Sequence, residues 1–515
     1  MIDTPDKPSR SGGRAGRRAK RQASSSPASR EPYVERNFPL FRLLDEDGLQ
    51  TIERNADIIL RDVGMVFSGD PEVLLILAAA GARVEGERVY FEPGMCREII
   101  QATAPADFTQ HARNPANSLH IGGRSAVFST VGGPPFVHDI DKGRRYATTE
   151  DHLNLLKIGH ILPVLHATGG PCELMDVPIP ERHLHGTYYQ FRYSDKAIHG
   201  SVRSATAAKD TLAMARIVFG ERYLEDNICI YAGVNTNSPL VLDDTMMAAL
   251  KIYARANQAV LVSPYILAGA MGPVSIAGSL AQQLAEALGG LALVQLLRPG
   301  AACAMGTFIG SISMQSGAPA FGTPESIKGI TIAAELARRL GVPLSCAGGA
   351  VTASKLPDAQ AAFESTLTLQ ASFYAGVNYI SHCAGWLEGG LTTGYEKMII
   401  DADICSILQG FNKPLDLSEE GQAMDAVREV GPGSHYLGAA HTMRNFETAF
   451  WKPTVADNNT YEQWASEGAP DTAKRANGIW KAMLVDYQTP AMDPGIHEAL
   501  RDYRDQRLKE IRTGE

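Results

Sequence analysis

Eight apolar runs in this 515-residue chain end in residues that can touch a ligand, and none of those end residues is Asp, Glu, Lys or Arg. Thr130 closes the first run; His166, His199, Tyr231 with Asn235, Ser263 with Tyr265, Thr307, Cys346, and His382 with Cys383 close the rest. Aromatic residues crowd the adjoining segments, notably Phe136, Tyr188, Tyr189, Phe191, Tyr193, Trp386 and Tyr395. Brought together, such residues form a neutral pocket with many ring faces, which suits a weakly hydrated cation such as a quaternary ammonium held by cation–π attraction. Any one of these rings can equally be core packing. Cys346, His382 and Cys383 raise the question of a metal, but adjacent strand residues point to opposite faces, so His382 and Cys383 cannot both enter one lumen from regular strand geometry. Zinc would need distant ligands that no close-spaced pair announces, and no metal is expected. The chain has no GxSxG elbow, GxxxxGK[ST] loop, HExxH pair or EF-hand loop, which removes most support for hydrolase, kinase and metalloprotease chemistry.

The runs that carry these residues are Ala126–Val131, Pro163–Thr168, Ala197–Val202, Ile228–Gly233, Ala259–Tyr265, Ala302–Thr307, Pro343–Ala347 and Val377–Cys383, each followed by a loop and a helical period. Strand–helix alternation predicts parallel pairing, and eight repeats predict closure into a (β/α)8, or TIM, barrel whose strand ends line the site. An open doubly wound sheet is the alternative, but it would want a GxGxxG after an early strand, and none stands there. One segment stands out. Cys346–Ser365, CAGGAVTASKLPDAQAAFES, leads from a short strand through Gly348 and Gly349 to a helix with Pro357 in its first turn and Asp358 at its dipole. It reads as a loop at the barrel mouth, with Gly348 against the ligand, or as a plain strand-to-helix connection.

Residues 1–30 hold eight Lys/Arg against two Asp and almost no large apolar residue, so a disordered basic tail is expected there. Residues 31–120 read as an N-terminal helical cap: Leu49, Ile52, Ala56, Ile59 and Leu60 share a face, a second helix runs from Pro71 to Ala80, and Val84–Phe91 looks like a hairpin around Gly86. The barrel is expected over 121–411. Residues 412–515, with His435, His441, Trp451, Trp464 and Trp480, read as an extension packing on the barrel or on a neighbouring subunit, and a homo-oligomer is expected. The net charge is −9, leaving −15 beyond the tail, which disfavours nucleic acid as a partner. Seven scattered cysteines without a CxxC pair argue against a disulfide framework and for the cytoplasm. The charge-free stretch Asn257–Leu284 is interrupted by Pro264 and Pro273, so no membrane span is expected.

Gly322-Thr-Pro-Glu-Ser326, the CAGGAVTASKLPDAQAAFES segment and Ser381-His-Cys-Ala-Gly-Trp-Leu-Glu-Gly-Gly390 together resemble the trimethylamine methyltransferase family. Arg113-Asn-Pro115 through Gly122-Gly123, then Gly132-Gly-Pro-Pro-Phe-Val-His-Asp139, is similar too, so the resemblance runs from about Pro39 to Trp451. The family implies a TIM barrel that takes a methyl group from a methylated amine to cob(I)alamin on a separate corrinoid protein, docked at the barrel mouth. Its founding branch carries pyrrolysine in the loop that here reads Gly349–Lys355, all ordinary residues, so the chain resembles the branch that includes glycine betaine methyltransferases. That implies a quaternary amine substrate, with His382 as the catalytic position and with His382 and Asn235 as the polar contacts to a substrate carboxylate or for orientation. Phe136, Tyr188, Tyr231, Tyr265, His199, Gly348 and Trp386 are expected around the substrate. A tightly bound corrinoid is not expected: His382–Gly385 matches HxxG, but Ile380 occupies the place where DxHxxG would have its aspartate. A zinc- or folate-dependent methyltransferase and a non-catalytic betaine-binding protein are the rival readings.

Overall fold

The computed structural model describes residues 31–513; the basic segment 1–30 lies outside the described residues. The central sheet is built from β1 (Ser125–Phe128), β2 (Ala167–Thr168), β3 (Ala197–His199), β4 (Ile230–Thr236), β5 (Ala259–Ala268), β6 (Cys303–Ile312), β7 (Leu344–Cys346) and β8 (Tyr379–Ile380). They pair in parallel, in the order β2-β3-β4-β5-β6-β7-β8-β1. The sheet curls until its two ends meet at a parallel bridge between Ser129 and Ala167, where the His166 amide donates to the Phe128 carbonyl at 2.8 Å. Each of the eight apolar runs overlaps one of these strands.

The main helices are α1 (Thr149–Ile161), α2 (Arg182–Tyr193), α3 (Ala205–Phe219), α4 (Asp244–Arg255), α5 (Ile276–Leu297), α6 (Pro324–Leu340), α7 (Ala359–Ala375) and α8 (Tyr395–Asn412). Their starts are written locally. Thr148 and Asp151 form a capping box on α1, and Thr323 caps α6 with Pro324 as its first helical residue. At α7 the expectation needs a correction: Asp358 is the cap, its carboxylate accepting from the Ala361 amide at 3.0 Å, so Pro357 stands before the helix and not in its first turn.

Alternating strand residues point into the curl. Val127, Ala167, Ala197, Tyr231, Ala259, Leu261, Ala302, Ala304 and Tyr379 pack there as one cluster. Phe108, Leu119 and Ile121, from the hairpin of Asp107–Gln110 with Leu119–Gly122, join it and plug the end where the strands begin.

α5 is long and apolar enough to cross a membrane, yet 89% of its apolar window is buried inside the molecule, with helices Glu46–Ile58 and Met95–Thr103 packed on it. Its buried Glu286 accepts from Thr236 Oγ1 (2.5 Å), Ser238 Oγ (2.7 Å), the Leu240 amide (2.9 Å) and Gln282 Nε2 (2.9 Å). A carboxylate buried at that cost anchors the loop leaving β4. Before the strands of the central sheet, the chain also forms the helix Pro71–Ala79 and the hairpin Arg83–Glu85/Arg88–Tyr90, turning at Gly86 with φ +63°.

After α8 the chain folds back onto the helices. α9 (Thr472–Asp486) docks through Trp480 Nε1 and Asn477 Nδ2, which donate to Glu396 at 3.0 and 2.9 Å. α10 (Pro494–Thr513) docks through Tyr503 and Arg507, which reach Asp210 of α3 at 2.7 and 2.9 Å.

Candidate active site

A cavity of about 640 Å³ opens at the ends of the strands, above the packed interior cluster. Period-two alternation sets much of its wall: Gly233 and Asn235 follow Tyr231 on β4, Ser263 and Tyr265 follow Leu261 on β5, and Ala347 follows Ser345 after β7. Four rings run along one side. Tyr265 lies 4.6 Å from Phe308, its register partner on β6; Phe308 lies 5.7 Å from Trp386; and Trp386 lies 4.7 Å from His382, centroid to centroid. Phe321 stands edge-on behind Phe308 and Trp386.

His382 reaches this wall by leaving strand geometry. β8 ends at Ile380, and His382 adopts φ +60°, so both Ser381 and His382 line the cavity while Cys383 turns away and is buried. Its Nδ1 accepts the Gly132 amide at 3.3 Å, which leaves the proton of the neutral ring on Nε2. Desolvation, helped by nearby His199, pushes the imidazole pKa down to about 3. At neutral pH it is an uncharged ring with one N–H to offer.

Two devices hold that turn. The backbone at Gly349 comes so close that a Cβ there would lie 2.3 Å from the Ser381 carbonyl oxygen, and the Ala350 amide donates to the His382 carbonyl at 2.9 Å. Below it, buried Lys397 pairs with buried Asp401 and also donates to Ser365 Oγ at 2.8 Å and the Ala350 carbonyl at 3.4 Å, while Asp401 accepts from the Gly385 amide at 2.9 Å. The pair thus ties the glycine loop after β7 to the turn after β8. Burial lowers the Lys397 pKa and raises that of Asp401.

Deeper in, His199 Nε2 meets the Tyr379 hydroxyl at 2.5 Å, and burial lowers the His199 pKa to about 4. Ser201 Oγ, Trp386 Nε1 and His152 Nε2 line or border the cavity as buried polar atoms without a hydrogen-bond partner among the described residues. Such groups are normally satisfied by ligand or water. Glu173, Arg182 and Arg203 are the only Asp, Glu, Lys or Arg among the described lining residues, and they lie together: Arg203 pairs closely with Glu173, whose other oxygen is 3.8 Å from Arg182.

Of the residues expected at the site, His382, Asn235, Tyr265, His199 and Trp386 come together on this cavity, and four do not. Tyr188 lies on α2, whose residues His183, Gly186, Thr187 and Gln190 face the cavity at helical spacing; a turn of about 100° per residue carries Tyr188 to the far side. There its hydroxyl meets His497 Nε2 at 3.0 Å, under the Arg504 guanidinium. Phe136 stacks on Tyr146 and is already covered by Arg144, 3.6 Å from its centroid. Tyr231 points into the interior cluster beneath the cavity, against Phe108 and Tyr379. Gly348 packs outward on Ile330, its amide donating to Cys346 Sγ at 3.0 Å.

Two features escaped the sequence. Phe308 is one residue beyond the end assigned to the sixth run, and continuing its period of two from Ala302, Ala304 and Gly306 reaches it. The Glu173–Arg182–Arg203 group comes from three loop and helix-start positions that no motif links. Among the described residues no group of three or more His, Cys, Asp or Glu could hold a metal ion. The Cys346 thiol is fully buried, and its pKa is pushed up to about 12.

Comparison with known proteins adds three findings. The family described as trimethylamine methyltransferase (MTTB) matches residues 10–512. The chain is 38% identical to the glycine betaine methyltransferase of Desulfitobacterium hafniense strain Y51 over 92% of its own length and 98% of that protein, and 27% identical to the trimethylamine methyltransferase MttB of D. hafniense strain DSM 10664 / DCB-2 over 90% and 93%. The crystal structure of the Methanosarcina barkeri monomethylamine methyltransferase (MtmB) superposes with a TM-score of 0.50 at 10% identity, covering 88% of this chain and 90% of that one, a likeness of fold.

Proposed function

The chain belongs to the trimethylamine methyltransferase family, whose members move a methyl group from a methylated amine, and on that premise we propose that it demethylates a quaternary amine of the glycine betaine type, with cob(I)alamin on a separate corrinoid protein as acceptor. The observation that carries the reading is the ring wall Tyr265–Phe308–Trp386–His382 in a cavity whose one carboxylate is already paired. Ring faces attract a quaternary ammonium, and a dry wall favours the loss of its charge as the methyl departs. The acceptor supplies the nucleophile. The C–N bond breaks with its electron pair left on nitrogen, so the amine leaves neutral and no proton has to move. The chain's own residues therefore bind and orient, and a histidine held neutral at the wall is consistent with that task.

In this reading Trp386, Tyr265 and Phe308 surround the ammonium, and the His382 Nε2–H and Asn235 orient the substrate. Its mouth is taken as the docking face of the corrinoid protein. A resident corrinoid is a poor fit to the HxxG residues, because the His382 Nδ1 is engaged by Gly132 and its ring is packed on Trp386. The curled eight-stranded sheet is read as a TIM barrel whose seam is the Ser129–Ala167 bridge. Seven buried, unpaired thiols favour the cytoplasm, and the exposed Leu415, Leu417, Leu437 and Phe450 favour a homo-oligomer.

The test is spectroscopic: reduced cobalamin, free or on a corrinoid protein, is mixed with the enzyme and a panel of quaternary amines, and the change in cobalt absorbance is followed. Methylation with a betaine is expected. Binding without methylation of any acceptor would mean a binding protein instead.

A further inference from the structure

The cavity has two chemically different sides. Opposite in character to the ring wall is the Glu173–Arg182–Arg203 group, assembled from the loop after β2, the first residue of α2 and the loop after β3. Glu173 is anchored by its backbone, the amide donating to the Pro134 carbonyl at 2.8 Å, and its side chain is largely buried. Arg182 is held by its Nε, which donates to the Val177 carbonyl at 2.9 Å. One carboxylate therefore faces two guanidiniums, and the wall keeps one uncompensated positive charge. Arg203 is half exposed, and among the described residues its only hydrogen bond is the one to Glu173, so most of its planar fork is unused.

The group lies close to the rings. Gly132 donates to His382, and at its neighbour Gly133 a Cβ would stand 3.8 Å from Glu173 Oε1, so two glycines separate the neutral end of the site from the cationic end. A bare cation gains nothing from a positive wall at that range. A molecule with an ammonium at one end and an anion at the other gains at both.

We propose that Arg203, steadied by Glu173 and backed by Arg182, binds the carboxylate of the substrate, so that the enzyme selects zwitterionic quaternary amines over those with an uncharged tail. The inference rests on the methyl-transfer reading but can fail separately from it. An Arg fork matches a carboxylate with two parallel hydrogen bonds, whereas Lys offers only a point charge.

The experiment measures binding by calorimetry, without any acceptor, for glycine betaine and for choline, on the wild type, Arg203→Met and Arg203→Lys. Methyl transfer is recorded in parallel on the same preparations. Arg203→Met is expected to weaken glycine betaine about 10- to 100-fold and to leave choline within about threefold, with Lys restoring part of the loss. Because the side chain is half exposed, the variant is expected to fold; thermal melting checks this, and Arg182→Met provides a second arm with the same expected discrimination. Equal losses for both ligands, no loss for either, or an effect confined to the Michaelis constant for the corrinoid protein would overturn the assignment. Discrimination in binding with no methyl transfer from either compound would sustain the carboxylate site and defeat the methyl-transfer reading.

Discussion

Gly349→Ala isolates what the glycine loop does. A Cβ at this position would sit 2.3 Å from the Ser381 carbonyl oxygen and 2.6 Å from the carbonyl carbon and oxygen of His382, all of them backbone atoms. Since Cβ atoms do not approach within 3.0 Å, the two segments must part by about 0.7 Å, against the Ala350–His382 hydrogen bond that joins them. Overpacking of this kind costs about 1–3 kcal/mol of stability. The movement falls on the turn that aims the His382 ring, and a displacement approaching 1 Å at a reacting site costs about 100-fold in rate. The expected result is a kcat reduced about 30- to 100-fold, with melting lowered by only a few degrees. Gly348→Ala is the matched control: its Cβ would meet the side-chain ends of Ile330 and Cys346 at 2.4 and 2.8 Å, groups that can shift without moving His382. It is expected to lose stability and to keep its rate within about threefold. Equal rates for the two variants, or full activity of Gly349→Ala, would refute a loop that positions His382 by contact.

Three further outcomes follow from the same turn. An unfolded histidine titrates near 6.5 and His382 at about 3, so the unfolded chain takes up a proton that the folded one refuses; its contribution to stability is complete above pH 6.5 and is lost as the pH falls toward 3, which denaturant titrations across that window check against His382→Gly. The same variant suits φ +60° and is expected to cost little stability at neutral pH while abolishing methyl transfer, separating the ring's role from the fold's. Breaking the buried pair by Lys397→Met alone is expected to cost about 3–5 kcal/mol, measured by denaturant unfolding, and Lys397→Met with Asp401→Leu to recover most of it. Recovery of stability without recovery of rate would mark the pair as the clamp on the two mouth loops.

The strand pattern was legible because it rests on a local signal: every apolar run had the length and breaks of a buried strand, and the alternation with helices fixed the parallel order. The same rule of two explains the near miss at Phe308, where the run was ended a residue too soon. Tyr188 and Phe136 failed for a different reason. Nothing in a helix's own sequence says which of two partners its aromatic face will meet, and α10, some three hundred residues downstream, claimed the face that carries Tyr188. Phe136 was claimed by an arginine eight residues away across a hairpin, a pairing set by strand register and invisible to composition.

The Glu173–Arg182–Arg203 group was missed on deeper grounds. Enzymes that move protons advertise themselves through carboxylates and histidines with pKa values drawn toward neutrality. Here burial drives His382 and His199 the other way, to about 3 and 4, into permanently neutral forms. The proposed reaction, in which the leaving nitrogen keeps its electron pair, has no use for a titrating group, so none announces the site. What such a site must have instead is a shape that sorts charge: rings where positive charge is to be lost, and a fixed cation where a negative charge is to be held. The first half is written in aromatic residues at strand ends and can be read from the chain. The second half depends on two guanidiniums, one from a helix start and one from a loop, converging on the Glu173 carboxylate, and only the folded molecule brings them together.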